Sequence, residues 1–197
     1  VAFKYKIYPQ GETLSCVVKQ EVTGFAFPDG TTTFLCPQSK PMGGFARTSP
    51  SYETSYTADD VAGKNGWGEG YTFPCLFRNG DNGWVLVSET GVNGGYCASR
   101  LLGHKGGVYT IGFPQEGEAN GNGTVSPGIA LPGETPWRTI TVGKTLAPIV
   151  ETTVPFDVVK PLYPAKGEYT YGRGSWSWII GMDGSTNYKE QLRYIDF

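Results

Sequence analysis

Asn79–Gly91 reads NGDNGWVLVSETG. Turn residues Asp81 to Gly83 lead into a nearly continuous apolar run, Trp84 to Val87. A strand that apolar is expected to be buried on both faces, at the centre of a sheet. The flanking sequence has the same character. Val1–Tyr8, VAFKYKIY, alternates, with Phe3, Tyr5 and Ile7 on one face and Lys4 and Lys6 on the other. In Leu14–Val22 the residues Leu14, Cys16 and Val18 again share a face. Phe27–Leu35, FPDGTTTFL, carries an Asp-Gly hairpin signal between apolar pieces. Gly106–Phe113 and Trp137–Gly143 supply two further strands, separated by the polar loop Gly117–Gly128. Gly 29 and Pro 14 occur without a collagen-like period and go into turns, while 12 Tyr, 10 Phe and 5 Trp favour pleated, half-buried surfaces. Short strands at regular spacing, without an internal repeat, predict an all-β fold of the β-sandwich kind.

The end of the chain departs from this pattern. Lys144–Val154, KTLAPIVETTV, places Leu146, Ile149, Val150 and Val154 at helical spacing, with Pro148 tolerable in a first turn. Residues 154–174 carry three prolines and little periodicity, and read as a connector. In GRGSWSWIIGMDGSTNYKEQLRYIDF, the apolar strand Ser175–Ile180 passes through a glycine-rich loop into an amphipathic helix. Tyr188, Leu192 and Ile195 form its stripe, and Asn187 with Glu190 gives it a capping-box start. A strand feeding a helix normally returns to a parallel strand. The expected organisation is therefore a sandwich over 1–158, a linker over 159–174, and over 175–197 the first strand-helix unit of a (β/α)8 barrel cut short.

Several function classes are disfavoured. The net charge is −2, with acids and bases interspersed, so no basic stripe points to nucleic acid. No apolar run approaches the roughly 20 residues of a membrane helix. Val1–Gln10 has neither the n-region nor the h-region of a signal peptide, and its start inside a strand pattern predicts that the natural chain extends upstream. There is no phosphate loop, and GSWSW around Ser175 lacks the glycine spacing of a nucleophile elbow. His104, in LLGHKGG, is expected in a surface turn. Cys16, Cys36, Cys75 and Cys97 show no CxxC pairing, which argues against zinc; two disulfides or buried free thiols both remain open.

Carboxylates and aromatics remain as carriers of chemistry. Glu89 closes the apolar strand and precedes a turn. A carboxylate there can bind a hard cation or a sugar hydroxyl, or accept hydrogen bonds from the next turn. Glu69, in GWGEGYTFP, and Glu53, in SPSYETSY, are further candidates for a substrate cleft. Tyr52, Tyr56, Trp67, Tyr71 and Trp137 can stack on sugar rings or simply pack. If Ser175–Ile180 opens a barrel, Trp176 and the loop residue Asp183 lie toward its active-site face.

VAFKYKIYP, KQEVTGFAFP, SPSYETSY, GWVLVSETG, PWRTITVGKTLAPIVETT and SWSW…NYKEQLRYIDF follow one another in an order that resembles glycoside hydrolase family 97 over nearly the whole chain. The resemblance implies a bacterial α-glucosidase or α-galactosidase, periplasmic or secreted, whose N-terminal supersandwich-like domain packs on a (β/α)8 catalytic barrel. It implies a calcium-dependent site with one glutamate from the sandwich. Glu89 matches that position, with threonine following where alanine is usual. Trp176-Ser177-Trp178 stands where Trp-Asp-Trp is common. The chain would thus be a non-catalytic part that braces its own barrel, meets an oligosaccharide substrate and is inactive alone, because the catalytic carboxylates lie beyond Phe197. A self-contained carbohydrate-binding or adhesion sandwich is the alternative. An apolar face meant for the barrel would also predict self-association of the fragment.

Overall fold

The computed structural model describes residues 1–38, 57–62, 70–121, 124–174 and 187–195. It divides into two units, Val1–Lys160 and Pro161–Phe197. Among the described residues, the first unit's regular structure is mainly antiparallel strands. A six-stranded sheet has the order β1-β13-β8-β7-β5-β6, where β1 is Ala2–Phe3, β5 Thr32–Phe34, β6 Asp60–Val61, β7 Cys75–Arg78, β8 Trp84–Thr90 and β13 Trp137–Gly143. A three-stranded sheet runs β4-β10-β9, with β4 Gly24–Ala26, β9 Arg100–Lys105 and β10 Val108–Gly112. Two short ribbons pair β3 (Ser15–Val17) with β11 (Gly128–Ala130), and β2 (Lys6–Ile7) with β12 (Gly133–Glu134).

The two larger sheets pack face to face. Cys75, Phe77 and Val87 from the six-stranded sheet meet Phe25, Leu101, Tyr109 and Ile111 from the other. Phe27 stacks on Phe77 at 4.0 Å between centroids, and Tyr109 meets the edge of Phe77 at 5.2 Å. Burying side chains such as Phe77, Val87 and Leu101 stabilises the fold by about 1.5–3 kcal/mol each. Tyr71 joins the layers along the backbone: its N–H donates to the Leu101 carbonyl at 2.7 Å, and the Leu101 N–H returns the bond at 3.0 Å.

Residues 84–90 form the central strand that the sequence predicts, flanked by β7 and β13. The turn before it holds a short 3-10 segment, Gly80–Asn82, and closes the β7-β8 hairpin. Gly83 is required there: at φ 138 a Cβ would lie 2.5 Å from the Gly143 carbonyl oxygen. Val87 is buried, whereas Trp84, Val85 and Leu86 are only half-buried; Trp84 and Leu86 alternate onto the outer face of this sheet, which is partly open.

Other expectations need correction. The Asp29-Gly30 turn does not make a hairpin, since β4 and β5 enter different sheets and the turn carries the chain between layers. VAFKYKIY is broken at Lys4–Tyr5, and its halves pair with β13 and β12. His104 lies within β9, not in a turn, with its ring 5.0 Å from Tyr109. Lys144–Val154 does not form one helix: α1 is Ala147–Val150 and α2 is Val154–Val158, each with proline in its first turn. The connector therefore begins with a helical turn.

All four cysteines are free thiols. Burial pushes the Cys75 thiol far above its ordinary range, with the neighbouring Cys36 adding to the effect. The thiolate is the reactive form, so native Cys75 is expected to resist dithionitrobenzoate at pH 8 while urea-unfolded protein exposes it. Rapid native modification of Cys75, mapped by mass spectrometry, would contradict this packing. Because the folded protein holds that proton more tightly than the unfolded chain, the linked stability is complete below the ordinary thiol pKa. It is lost as pH rises above that value.

In the second unit, α3 (Tyr188–Ile195) is the helix expected from the stripe, and the Glu190 N–H donates to Asn187 Oδ1 at 3.1 Å as the capping signal requires. Tyr188 and Ile195 are exposed on it. The strand expected at Ser175–Ile180 lies outside the described residues.

Candidate functional site

Strands β8 and β13 pair so that Val85 faces Val142, Val87 faces Ile140 and Glu89 faces Arg138. By strand alternation, Val85, Val87 and Glu89 point to the same side. The core-facing row of β8 thus ends in a carboxylate, directly across from a guanidinium. Arg138 is fully buried. Left unpaired, such a charge would cost several kcal/mol.

Two carboxylates surround it. Nε and Nη2 of Arg138 donate to Oε1 and Oε2 of Glu21 at 2.9 and 2.5 Å, the two-pronged geometry a guanidinium offers. Nη1 donates to Glu89 Oε2 at 2.5 Å and to Ser99 Oγ at 2.9 Å. Ser99 in turn donates its hydroxyl to Glu89 Oε2 at 2.6 Å and its backbone N–H to Glu89 Oε1 at 2.9 Å. Thr23 Oγ1 donates to Glu21 Oε1 at 2.8 Å and lies 3.2 Å from the Tyr5 hydroxyl. Burial works against the charged form of Arg138, but the hydrogen bonds and charges of Glu21 and Glu89 outweigh it and hold its pKa above the ordinary value.

With both carboxylates ionised, one positive charge faces two negative ones, leaving a net −1 in a largely buried cluster. Among the described residues, Glu89 Oε2 accepts two hydrogen bonds, while Oε1 accepts one, from Ser99. Oε1 retains acceptor capacity. Calcium takes 6–8 oxygen ligands. Among the described residues no group of three or more His, Cys, Asp or Glu side chains is arranged to hold a metal. Glu89 Oε1 can offer an oxygen to such an ion, but the described residues do not form a calcium site by themselves.

Gly91 and Trp137, neighbours of this pair in sequence, line a cavity of about 280 Å³ with Lys4, Asn93, Tyr96 and Glu134. Lys4 pairs with Glu134 and sits over the Trp137 ring, 4.9 Å from its centroid. The hydrogen bond from Lys4 lowers the Glu134 pKa. The Tyr96 hydroxyl is buried without a hydrogen-bond partner among the described residues. Burial first, and then the Glu21 charge, push its pKa up.

Of the residues singled out in the sequence, Glu89 falls in this cluster. Glu53, Glu69, Trp176 and Asp183 lie outside the described residues, as do Tyr52, Tyr56 and Trp67. Trp137 is half-buried at the cavity, and Tyr71 is a core side chain. Sequence reasoning missed Arg138, Ser99 and Glu21. The available signal for Arg138 was a strand position two residues before Ile140, a core-side place where a cation demands a carboxylate. Glu21 had a contrary signal: it is buried and its neighbour Val22 is 84% exposed, the reverse of their polarity.

Fold and site together define a β-sandwich with a charged, carboxylate-rich end to its core. The chain belongs to the glycosyl-hydrolase 97 N-terminal family, which it matches over residues 1–161. It is similar to the crystal structure of a β-arabinopyranosidase, with 61% identity and a TM-score of 0.88; all of this chain aligns with 32% of that one. It is also similar to a glycoside hydrolase family 97 enzyme from Pseudoalteromonas sp. strain K8, solved with panose and with acarbose. There the identity is 22% and the TM-score 0.56, covering 81% of this chain and 22% of the other, and the likeness speaks to fold alone. No curated protein matches the chain. The chain thus spans about a third or less of the length of these solved enzymes.

Proposed function

We propose that this chain is the non-catalytic N-terminal part of a β-arabinopyranoside-cleaving glycoside hydrolase, bracing its barrel and lending Glu89 to a calcium ion. The observation that carries the substrate class is the 61% identity to a β-arabinopyranosidase along the entire chain. An L-arabinopyranose ring has the hydroxyl arrangement of D-galactose without the hydroxymethyl group. A β-L-arabinopyranoside therefore presents the anomeric geometry of an α-D-galactoside, which favours the galactoside branch of the sequence expectation over the glucoside branch.

The calcium reading is supported by the net −1 of the Arg138 cluster and by the spare acceptor capacity of Glu89 Oε1. Bound calcium would polarise an oxygen of the substrate as a Lewis acid. The chain's own contribution is a carboxylate held in one orientation at the end of a rigid strand. The periplasm or the cell exterior is the proposed compartment, where calcium is abundant.

The test is a substrate panel on the parent protein. Nitrophenyl β-L-arabinopyranoside is expected to give the highest kcat/KM, α-D-galactopyranoside a lower one and α-D-glucopyranoside the lowest. A preference for the glucoside would overturn the substrate assignment.

A further inference from the structure

We infer that Ser99 and Arg138 are positioning residues that fix Glu89 for cation binding, with Glu21 engaging the other edge of the Arg138 guanidinium. The inference rests on the calcium reading above. A purely structural role for Arg138 needs only one carboxylate, and Glu21 supplies it through two hydrogen bonds at 2.9 and 2.5 Å. Adding Glu89 leaves a surplus negative charge in a place where burying charge is costly.

The surplus is not diffuse. Ser99 Oγ, Arg138 Nη1 and Glu89 Oε2 form a closed triangle with sides of 2.6, 2.9 and 2.5 Å. Both acceptor sites of Oε2 are taken. The Ser99 N–H then holds Oε1 at 2.9 Å from one direction, so the carboxylate plane is set by three bonds. Oε1 is left as the oxygen that can turn a lone pair to a cation. The Arg138 charge pairs twice with Glu21 before it reaches Glu89, which limits how far the guanidinium competes with an incoming cation.

Partners of this kind behind a metal ligand typically change metal affinity by 10–100-fold when lost. The experiment is calcium titration by calorimetry on the chelator-stripped parent enzyme. Ser99→Ala, which keeps the backbone N–H but opens the triangle, is expected to weaken calcium binding roughly tenfold. Ser99→Thr, which keeps the hydroxyl, is expected to restore it. Arg138→Lys, which keeps the charge but cannot span Glu21 and Glu89, should weaken it similarly and decides the matter if Ser99→Ala does not fold. Glu118→Gln is the control. It removes the charge from another buried pair, Arg100–Glu118, and should lower stability without moving calcium affinity. Unchanged affinity in Ser99→Ala, where Glu89→Gln abolishes binding, overturns the positioning role alone. Unchanged affinity in Glu89→Gln overturns the calcium reading and this inference with it.

Discussion

Replacing Arg138 by methionine is expected to destabilise the folded chain by about 3–5 kcal/mol, the cost of stranding buried charges. Glu21 and Glu89 would face one another across an apolar side chain, with Ser99 and Thr23 as the remaining hydrogen-bond donors among the described residues. For a chain of this size that corresponds to a fall in Tm on the order of 10 °C. The effect should depend on the carboxylates rather than on the lost volume. Adding Glu21→Gln and Glu89→Gln to Arg138→Met is therefore expected to recover much of the loss, because removing a whole buried ion cluster is often neutral. Thermal unfolding followed by circular dichroism measures both. A loss under about 1 kcal/mol for Arg138→Met would mean that the cluster is wetter and weaker than its burial implies.

The second large effect concerns Glu89→Gln in the parent enzyme. The substitution keeps the shape but removes one negative charge, leaving Arg138 balanced by Glu21 alone. In the absence of calcium the variant should be no less stable than wild type. With calcium it should be less stable, because a ligand present at a hundred times its Kd stabilises the native state by about 2.7 kcal/mol. Calcium affinity should fall by at least the roughly hundredfold seen when supporting partners are removed, since here the ligand itself is altered. Equal calcium-dependent stabilisation of wild type and Glu89→Gln would rule Glu89 out as a ligand.

Much of the sandwich was legible from period-2 patterning. Residues 84–90, 108–112 and 137–143 are strands because their apolar and β-branched side chains suit a sheet packed on one or both faces. Connectivity was not legible. An Asp-Gly turn specifies a reversal locally, but whether the strands it joins pair with one another or enter different layers depends on contacts distant in sequence. Glu89 was visible because a strand end is a readable place. Its partners were not, since Glu21 and Arg138 are 117 residues apart and meet only through the packing of the layers. The inverted pair Glu21 and Val22 shows the limit most clearly: burial there follows the needs of Arg138, not hydropathy.

Anomalous diffraction from crystals of the parent enzyme grown with calcium tests the central claim most directly. The expected result is a peak about 2.3–2.6 Å from Glu89 Oε1, with Oε2 still held by Arg138 and Ser99. A calcium ion bound elsewhere, with both Glu89 oxygens engaged only by Arg138 and Ser99, would contradict the account and leave the cluster as a structural clasp.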